Sequence, residues 1–366
     1  MISSSSVLTI DLPALQDNWR HVASLLQEAV CAAVVKADAY GVGALEVANA
    51  LFKSGCRFFF VATFEEAAEL RQSLPVEVTI YVLGGVKMGF EASFAEMKLI
   101  PVLYSLDAVR HWSIFCCSIN KTLPCVLKID TGMTRLGLSS TDVDQLILQA
   151  KDHPFLNPLL LMSHLACADE RVHPLNAIQL DEFKTAITKI KKIYPRIRTS
   201  LANSSGAFLG EDFHFDMVRI GAALYGICPQ RDKPNPLKSV ISLKLSVLQI
   251  RNIQKNAAVG YGASAAAKVG SRLAVVAGGY ADGIHRTLGF SPVGMVDDQV
   301  VSAVGRISMD SCIFDISTVE SNPAYIEVIN DSFSVDRLIE TNKFLGYEVL
   351  TSLGRRYNRD YIPAKE

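Results

Sequence analysis

The sequence has little of what would place it in a membrane, on a nucleic acid or around a metal. No run of apolar residues approaches the eighteen or so of a spanning helix. The formal net charge is −1, and no basic stretch is long enough to follow a nucleic-acid backbone. None of the eight cysteines forms a C-x-x-C pair, so the usual zinc and disulfide signatures are missing and the thiols read as buried, reduced small hydrophobes. The opening Met1-Ile2-Ser3-Ser4-Ser5-Ser6 has no basic stretch, hydrophobic stretch or cleavage site, which points to the cytoplasm and away from export. What remains is a chain of 366 residues, 49% hydrophobic and 20% charged, enough for one large barrel or two domains with a sizeable core.

Its pattern is repetitive. After a short strand at 7–11, with Asp11 and Pro13 opening a helix, brief apolar runs recur at 31–36, 58–62, 78–83, 99–104, 125–129, 159–163, 197–201 and 217–224. Helical periodicity fills most of the gaps; Thr63 with Glu66 three residues on forms the clearest capping box. Eight buried strands alternating with helices predict an α/β fold, an N-terminal (β/α)8 TIM-type barrel. An open doubly wound sheet is the alternative, set lower because no G-x-G-x-x-G follows the first strand. Around 226–236 three prolines mark a linker. Beyond it, strand-like segments at 240–250, 271–277, 300–304, 312–316 and 325–329, with helical pattern only near 335–343, predict a mostly β C-terminal domain. The expected division is 1–232 and 233–366, with strand 7–11 free to join the second domain.

In such a barrel, chemistry sits on the rim formed by the C-terminal ends of the strands. Lys36 ends the first barrel strand, where desolvation would lower its pKa as a Schiff-base lysine requires. Lys128, Asp130, His164, Asn203, Ser204 and Arg219 fall at other strand ends. Singly, each has a dull explanation: a solvated lysine, an ion pair, a satisfied core histidine, a helix cap. Arg219 in an apolar strand is harder to dismiss, because a buried guanidinium needs specific acceptors. Together they suggest a phosphate site near Ser204 and Gly221, a Schiff-base amine and an arginine for a ring nitrogen, a set that suits pyridoxal phosphate.

The string AVVKADAYGVG (33–43) closely resembles the cofactor-lysine signature of alanine racemases. The resemblance continues in order through LKIDTGMTRLG (127–137), SHLACADE (163–170), ANSSGA (202–207), DMVRIGAALYG (216–226), VGYGAS (259–264), GYADGIHR (279–286), GRISMDSC (305–312) and YEVLTSLGRR (347–356). It implies a pyridoxal 5'-phosphate enzyme that interconverts L- and D-alanine by two-base proton transfer, supplying D-alanine for peptidoglycan. It also implies a homodimer with active sites shared across the interface.

By the same resemblance, Lys36 would hold the cofactor and serve as one base, and Tyr261 would serve as the other. Arg219 would face the pyridine nitrogen, with His164 hydrogen-bonded to it. Tyr40 and Ser204, with the amides of Gly221 and Ala222, would hold the phosphate. Arg135 would sit near the substrate carboxylate, positioned by Lys128, a lysine that is often carbamylated in the family. Met309 and Asp310 would line the substrate pocket of the partner, and Asp169, Tyr280, Arg286 and Arg306 the corridor into it. Two departures stand out: Val42 replaces the family's usual histidine, and the C-terminal tyrosine expected before an arginine falls at Gly354 or Arg355, leaving Tyr357 as its substitute. A metal-assisted D-amino acid aldolase or dehydratase is disfavoured because no histidine follows His285. A broader-specificity amino acid racemase is the runner-up.

Overall fold

The computed structural model describes residues 6–285, 293–336 and 346–365. Two compact units emerge, Leu15–Leu237 and a second built from the N-terminal segment to Ala14 together with Lys238–Lys365. The proline-rich segment is tied back to the first unit, where Asn235 Nδ2 donates to the Gly226 carbonyl over 2.8 Å.

The chain opens with β1 (Val7–Asp11). The first unit then carries eight parallel strands: β2 (Val30–Val34), β3 (Phe58–Val61), β4 (Thr79–Val82), β5 (Leu99–Leu103), β6 (Leu123–Lys128), β7 (Leu156–Met162), β8 (Arg198–Ser200) and β9 (Met217–Ile220). Their order is β8-β7-β6-β5-β4-β3-β2-β9. The seam between β8 and β9 is bridged by Asp216 N donating to Thr199 O (3.0 Å) and Arg219 N to Ala202 O (3.1 Å), so the barrel is nearly closed. Its centre is solid. Ala32, Val34, Phe60, Tyr81, Ile100, Val102, Val126, Leu160, Met162 and Met217 pack there, with Phe60 stacked on Tyr81 at 4.5 Å.

In the second unit, β10 (Ile241–Asn252), β13 (Arg272–Ala277), β14 (Val293–Val296), β15 (Gln299–Ala303), β16 (Ser311–Asp315) and β17 (Tyr325–Ile329) form an antiparallel ring, closed because the twelve-residue β10 pairs with β17 along its first half and β13 along its second. A small hairpin, β11 (Ala257–Val259) and β12 (Ala265–Ala267), projects before β13. β1 lies between β10, to which it is antiparallel, and β18 (Asn358–Ile362), to which it is parallel. The helical pattern read at 335–343 falls mostly outside the described residues.

Candidate active site

Strand periodicity decides which side chains reach the barrel's upper rim. Side chains two apart share a face, and the residue two beyond a core residue points the same way one layer higher. Lys128 follows Val126, and Arg219 follows Met217. Just past the ends of their strands, Lys36 follows Val34 and His164 follows Met162. Four basic side chains therefore crown the apolar interior.

Lys36 stands where β2 turns into an unusual segment. Ala37, Asp38, Ala39 and Tyr40 all have left-handed dihedrals, with φ between 51° and 58°. Such a run costs L-residues about 1–2 kcal/mol each, so it must be held from outside. Ala37 N donates to Glu66 Oε1 (2.8 Å), Gly43 N to Asp38 O (2.9 Å) and Ala44 N to Asp38 Oδ1 (2.8 Å). The Tyr40 ring packs on Tyr225 at 4.7 Å, and the Tyr225 hydroxyl donates to Val34 O at 3.2 Å.

This turn carries Tyr40 over the start of the segment after β9. A β-carbon on Gly221 would collide with the Tyr40 hydroxyl, so glycine is required there. Beside it the buried Ser204 Oγ accepts from the amides of Gly221 (2.9 Å) and Ala223 (3.1 Å). Ser204 is thereby fixed to the same 221–223 segment whose Gly221 and Ala222 amides the resemblance offers to a phosphate. Two hydroxyls and a set of amide donors converge on one small region, the donor set of a phosphate cradle.

Arg219 is 4% exposed and donates only to uncharged acceptors: Nη1 to Ser200 O (3.0 Å) and Ser200 Oγ (2.5 Å), Nη2 to Ser163 O (2.6 Å) and Leu201 O (3.4 Å), with His164 Nδ1 at 3.4 Å from Nη2. Burial draws its pKa down to about 9. Among the described residues its Nε–H has no hydrogen-bond partner, so one donor of a fixed cation is left for a ligand. His164 is held well below the usual histidine range by burial and then by Arg219, Arg135, Lys128 and Lys36. It is neutral, with Nδ1 as the acceptor toward Arg219.

Lys128 is pulled down to about 8, first by burial and then by Arg135 and Arg219. Burial, then Arg135, lowers Lys36, while Glu66 pulls it back up. The nearby carboxylate of Asp130 is engaged elsewhere. Burial works to raise its pKa, but Oδ1 accepts from the amides of Gly132, Met133 and Thr134 at 2.9–3.1 Å, and these hold it low. Amines at lowered pKa, a permanent cation without a carboxylate and a hydroxyl-amide cradle fit a phosphorylated aldehyde with a basic ring nitrogen.

A buried polar layer beneath this rim was invisible in the sequence. Thr131 Oγ1 and Ser163 Oγ are 2.8 Å apart, and Ser163 Oγ donates to Ile129 O at 2.9 Å. Gln179, fully buried on the helix Pro174–Ile190, donates to Thr131 Oγ1 (3.2 Å) and His164 O (2.9 Å) and accepts from Ala166 N (2.9 Å). Ser200 Oγ donates to Met217 O at 2.6 Å, which turns its lone pairs toward Arg219. Ordinary serines, threonines and glutamines carry no spacing signal that would reveal this.

The second unit holds the other expected residues. Tyr261 is 71% exposed at the tip between β11 and β12, flanked by Gly260 and Gly262 at φ +72° and +69°. The Arg306 guanidinium lies under Gly262, 3.4 Å from where its β-carbon would be. Tyr280 N donates to Ser308 O (3.0 Å) and Ala281 N to Met309 O (3.1 Å), which locks the Tyr280 turn to the loop carrying Met309 and Asp310. Arg356 grips Asp282 with Nε (2.6 Å) and Nη2 (2.8 Å) and Asp310 with Nη1 (2.7 Å). Asp169, on the first unit, pairs with Arg231 at 2.7 Å. Arg286 lies outside the described residues. The Tyr357 hydroxyl is buried and, among the described residues, has no hydrogen-bond partner; burial, then Asp282 and Cys312, raises its pKa.

Comparison with known proteins agrees with this geometry. Residues 10–229 match the model of the alanine racemase N-terminal domain, and 240–361 that of the C-terminal domain. An alanine racemase of Rhodospirillum rubrum is 41% identical, covering 99% of this chain and 97% of its own. A catabolic alanine racemase of Agrobacterium fabrum is 42% identical, covering 98% and 92%. Among solved structures, alanine racemase from Bartonella henselae with covalently bound pyridoxal phosphate superposes with a TM-score of 0.92 at 38% identity, covering 98% of this chain and 99% of that one.

Proposed function

The chain belongs to the alanine racemase family, and on that premise we propose that it interconverts L- and D-alanine with pyridoxal 5'-phosphate as its cofactor. The observation that carries the reading is Arg219, a buried guanidinium with no carboxylate partner among the described residues and an Nε–H left over. When bound, the cofactor supplies an electron sink for negative charge at the substrate's α-carbon. Arg219, as a cation, would face the ring nitrogen and disfavour its protonation, which would limit how far the charge spreads and favour prompt return of the proton.

Lys36 Nζ holds the cofactor and then moves a proton on one face of the α-carbon. The Tyr261 hydroxyl serves the opposite face, as inversion requires. Tyr261 stands exposed on a projecting hairpin, which supports its entry into a second subunit and hence a homodimer with shared sites. Met309 and Asp310 would line the pocket of that neighbour, with Tyr280, Arg306 and Asp169 along the corridor. Ser204, Tyr40, Gly221 and Ala222 bind the phosphate, and Arg135 orients the substrate carboxylate.

Lys128, drawn down to about 8, is neutral often enough to take up CO2 as a carbamate, which would turn a neighbour that repels Arg135 into one that attracts it. All eight cysteines are unpaired, which supports work in the reducing cytoplasm, supplying D-alanine for peptidoglycan.

The test is direct. Purified protein should show an absorption band near ~420 nm that borohydride abolishes while labelling Lys36, and should form D-alanine from L-alanine. A protein lacking both band and activity would end this reading. Offering other L-amino acids alongside alanine separates it from a broader-specificity racemase.

A further inference from the structure

Glu66 uses one carboxylate to hold three backbone amides on two separate stretches of chain. It lies in the first turn of the helix Phe64–Ser73, where the Thr63 capping box needs only a contact to the Thr63 amide, here 3.3 Å. Its oxygens go further. Oε2 accepts from Ala62 N (2.6 Å), just past the end of β3, and Oε1 from Ala37 N (2.8 Å), the peptide that follows Lys36. That peptide is where β2 leaves extended geometry for the left-handed run, and Ala37, at φ 54°, has no preference of its own for it.

We propose that Glu66 is a positioning residue for Lys36: by bridging the Ala37 amide and the end of β3 with its two oxygens, it fixes the direction from which the lysine amine reaches the cofactor's aldehyde. The proposal rests on the reading that Lys36 carries the cofactor. The charged groups around the amine support the choice of a carboxylate. Arg135 acts on Lys36 from the loop after β6 and Lys128, on β6, is a second cation coupled to it; Glu66 is the anion that acts on Lys36 in the opposite sense. A glutamine could not replace it, because its NH2 would face one of the amides that need an acceptor. An aspartate keeps both acceptors but falls one methylene short of spanning them.

The experiment compares two ligands. Purified enzyme is stripped with hydroxylamine and titrated with pyridoxal 5'-phosphate and with pyridoxamine 5'-phosphate, which has the ring and phosphate but no aldehyde. In Glu66→Gln, losing a charged hydrogen bond should weaken pyridoxal phosphate roughly tenfold or more, with pyridoxamine phosphate changed a few-fold at most. Glu66→Asp should behave the same way. Thr63→Ala, which breaks the cap but leaves the Ala37 contact, should lower Tm without altering either affinity. Equal losses for both ligands, no loss, or full rescue by aspartate would overturn the proposal. Separately, borohydride labelling of a lysine other than Lys36 in the unaltered enzyme would remove the underlying reading, whatever the Glu66 variants do.

Discussion

The hydroxyl of Tyr40 rests so close to Gly221 that a β-carbon there would overlap it and lie 3.0 Å from the ring carbon that bears it. The left-handed turn after Lys36 and the backbone after β9 therefore meet through a missing side chain. Gly221→Ala should force Tyr40 aside, at about 1–3 kcal/mol for overpacking. We expect a lower Tm and, in cofactor titrations, a markedly weaker Kd. An unchanged Kd would mean that Tyr40 does not contribute to the cradle.

Arg219 offers the sharpest chemical test. Arg219→Glu points a carboxylate at the carbonyls of Ser200, Ser163 and Leu201, so stability should fall by several kcal/mol, the range for an uncompensated buried charge. Racemisation should fall, and a new long-wavelength absorption band should build during turnover as the ring nitrogen becomes protonatable. Normal rates with no new band would exclude Arg219 from the ring.

Lys128 should leave a mark on stability at alkaline pH. Its pKa is about 8 when folded against a reference of 10.5. Between those values the unfolded chain binds more protons, so this group makes stability rise with pH; below about 8 its penalty is fully present. In CO2-free buffer, urea midpoints of Lys128→Met should lack that rise. Parallel pH profiles for both proteins would show that burial does not perturb the amine.

Tyr261→Phe should keep the cofactor band and lower racemisation by about 10²–10⁴-fold, the usual range for losing an acid–base group. Activity per subunit should also fall on dilution as dimers separate. A stable monomer with full turnover would show that Tyr261 does not act across subunits.

Much of this site was legible because the barrel's strand period carries through to its chemistry. Val34 and Lys36, Val126 and Lys128, Met162 and His164, Met217 and Arg219 are pairs two residues apart, so locating the buried strands also located the side chains proposed to act. The handedness of the turn after Lys36 was not legible. Ala37, Asp38, Ala39 and Tyr40 adopt it against their intrinsic preference, held by partners such as Glu66 and Tyr225 that are distant in sequence. The same is true of Gln179, Ser163, Thr131 and Ser200, whose roles exist only once four segments are brought together. The enclosure of the Tyr357 hydroxyl was not legible either, because a position relative to an arginine motif says nothing about burial.

The pairing of β1 with β18 has a consequence for synthesis. Val7 pairs with Asn358 and Asp11 with Ile362, so β1 waits for β18, about 350 residues later. At ~5–20 residues per second that delay is roughly 20–70 s, during which the segment before the barrel stays unpaired on that edge while all eight barrel strands have already emerged. The second unit can pair this edge only once β18 has been made, so synthesis interrupted before Asn358 would leave a complete barrel preceded by an open sheet edge.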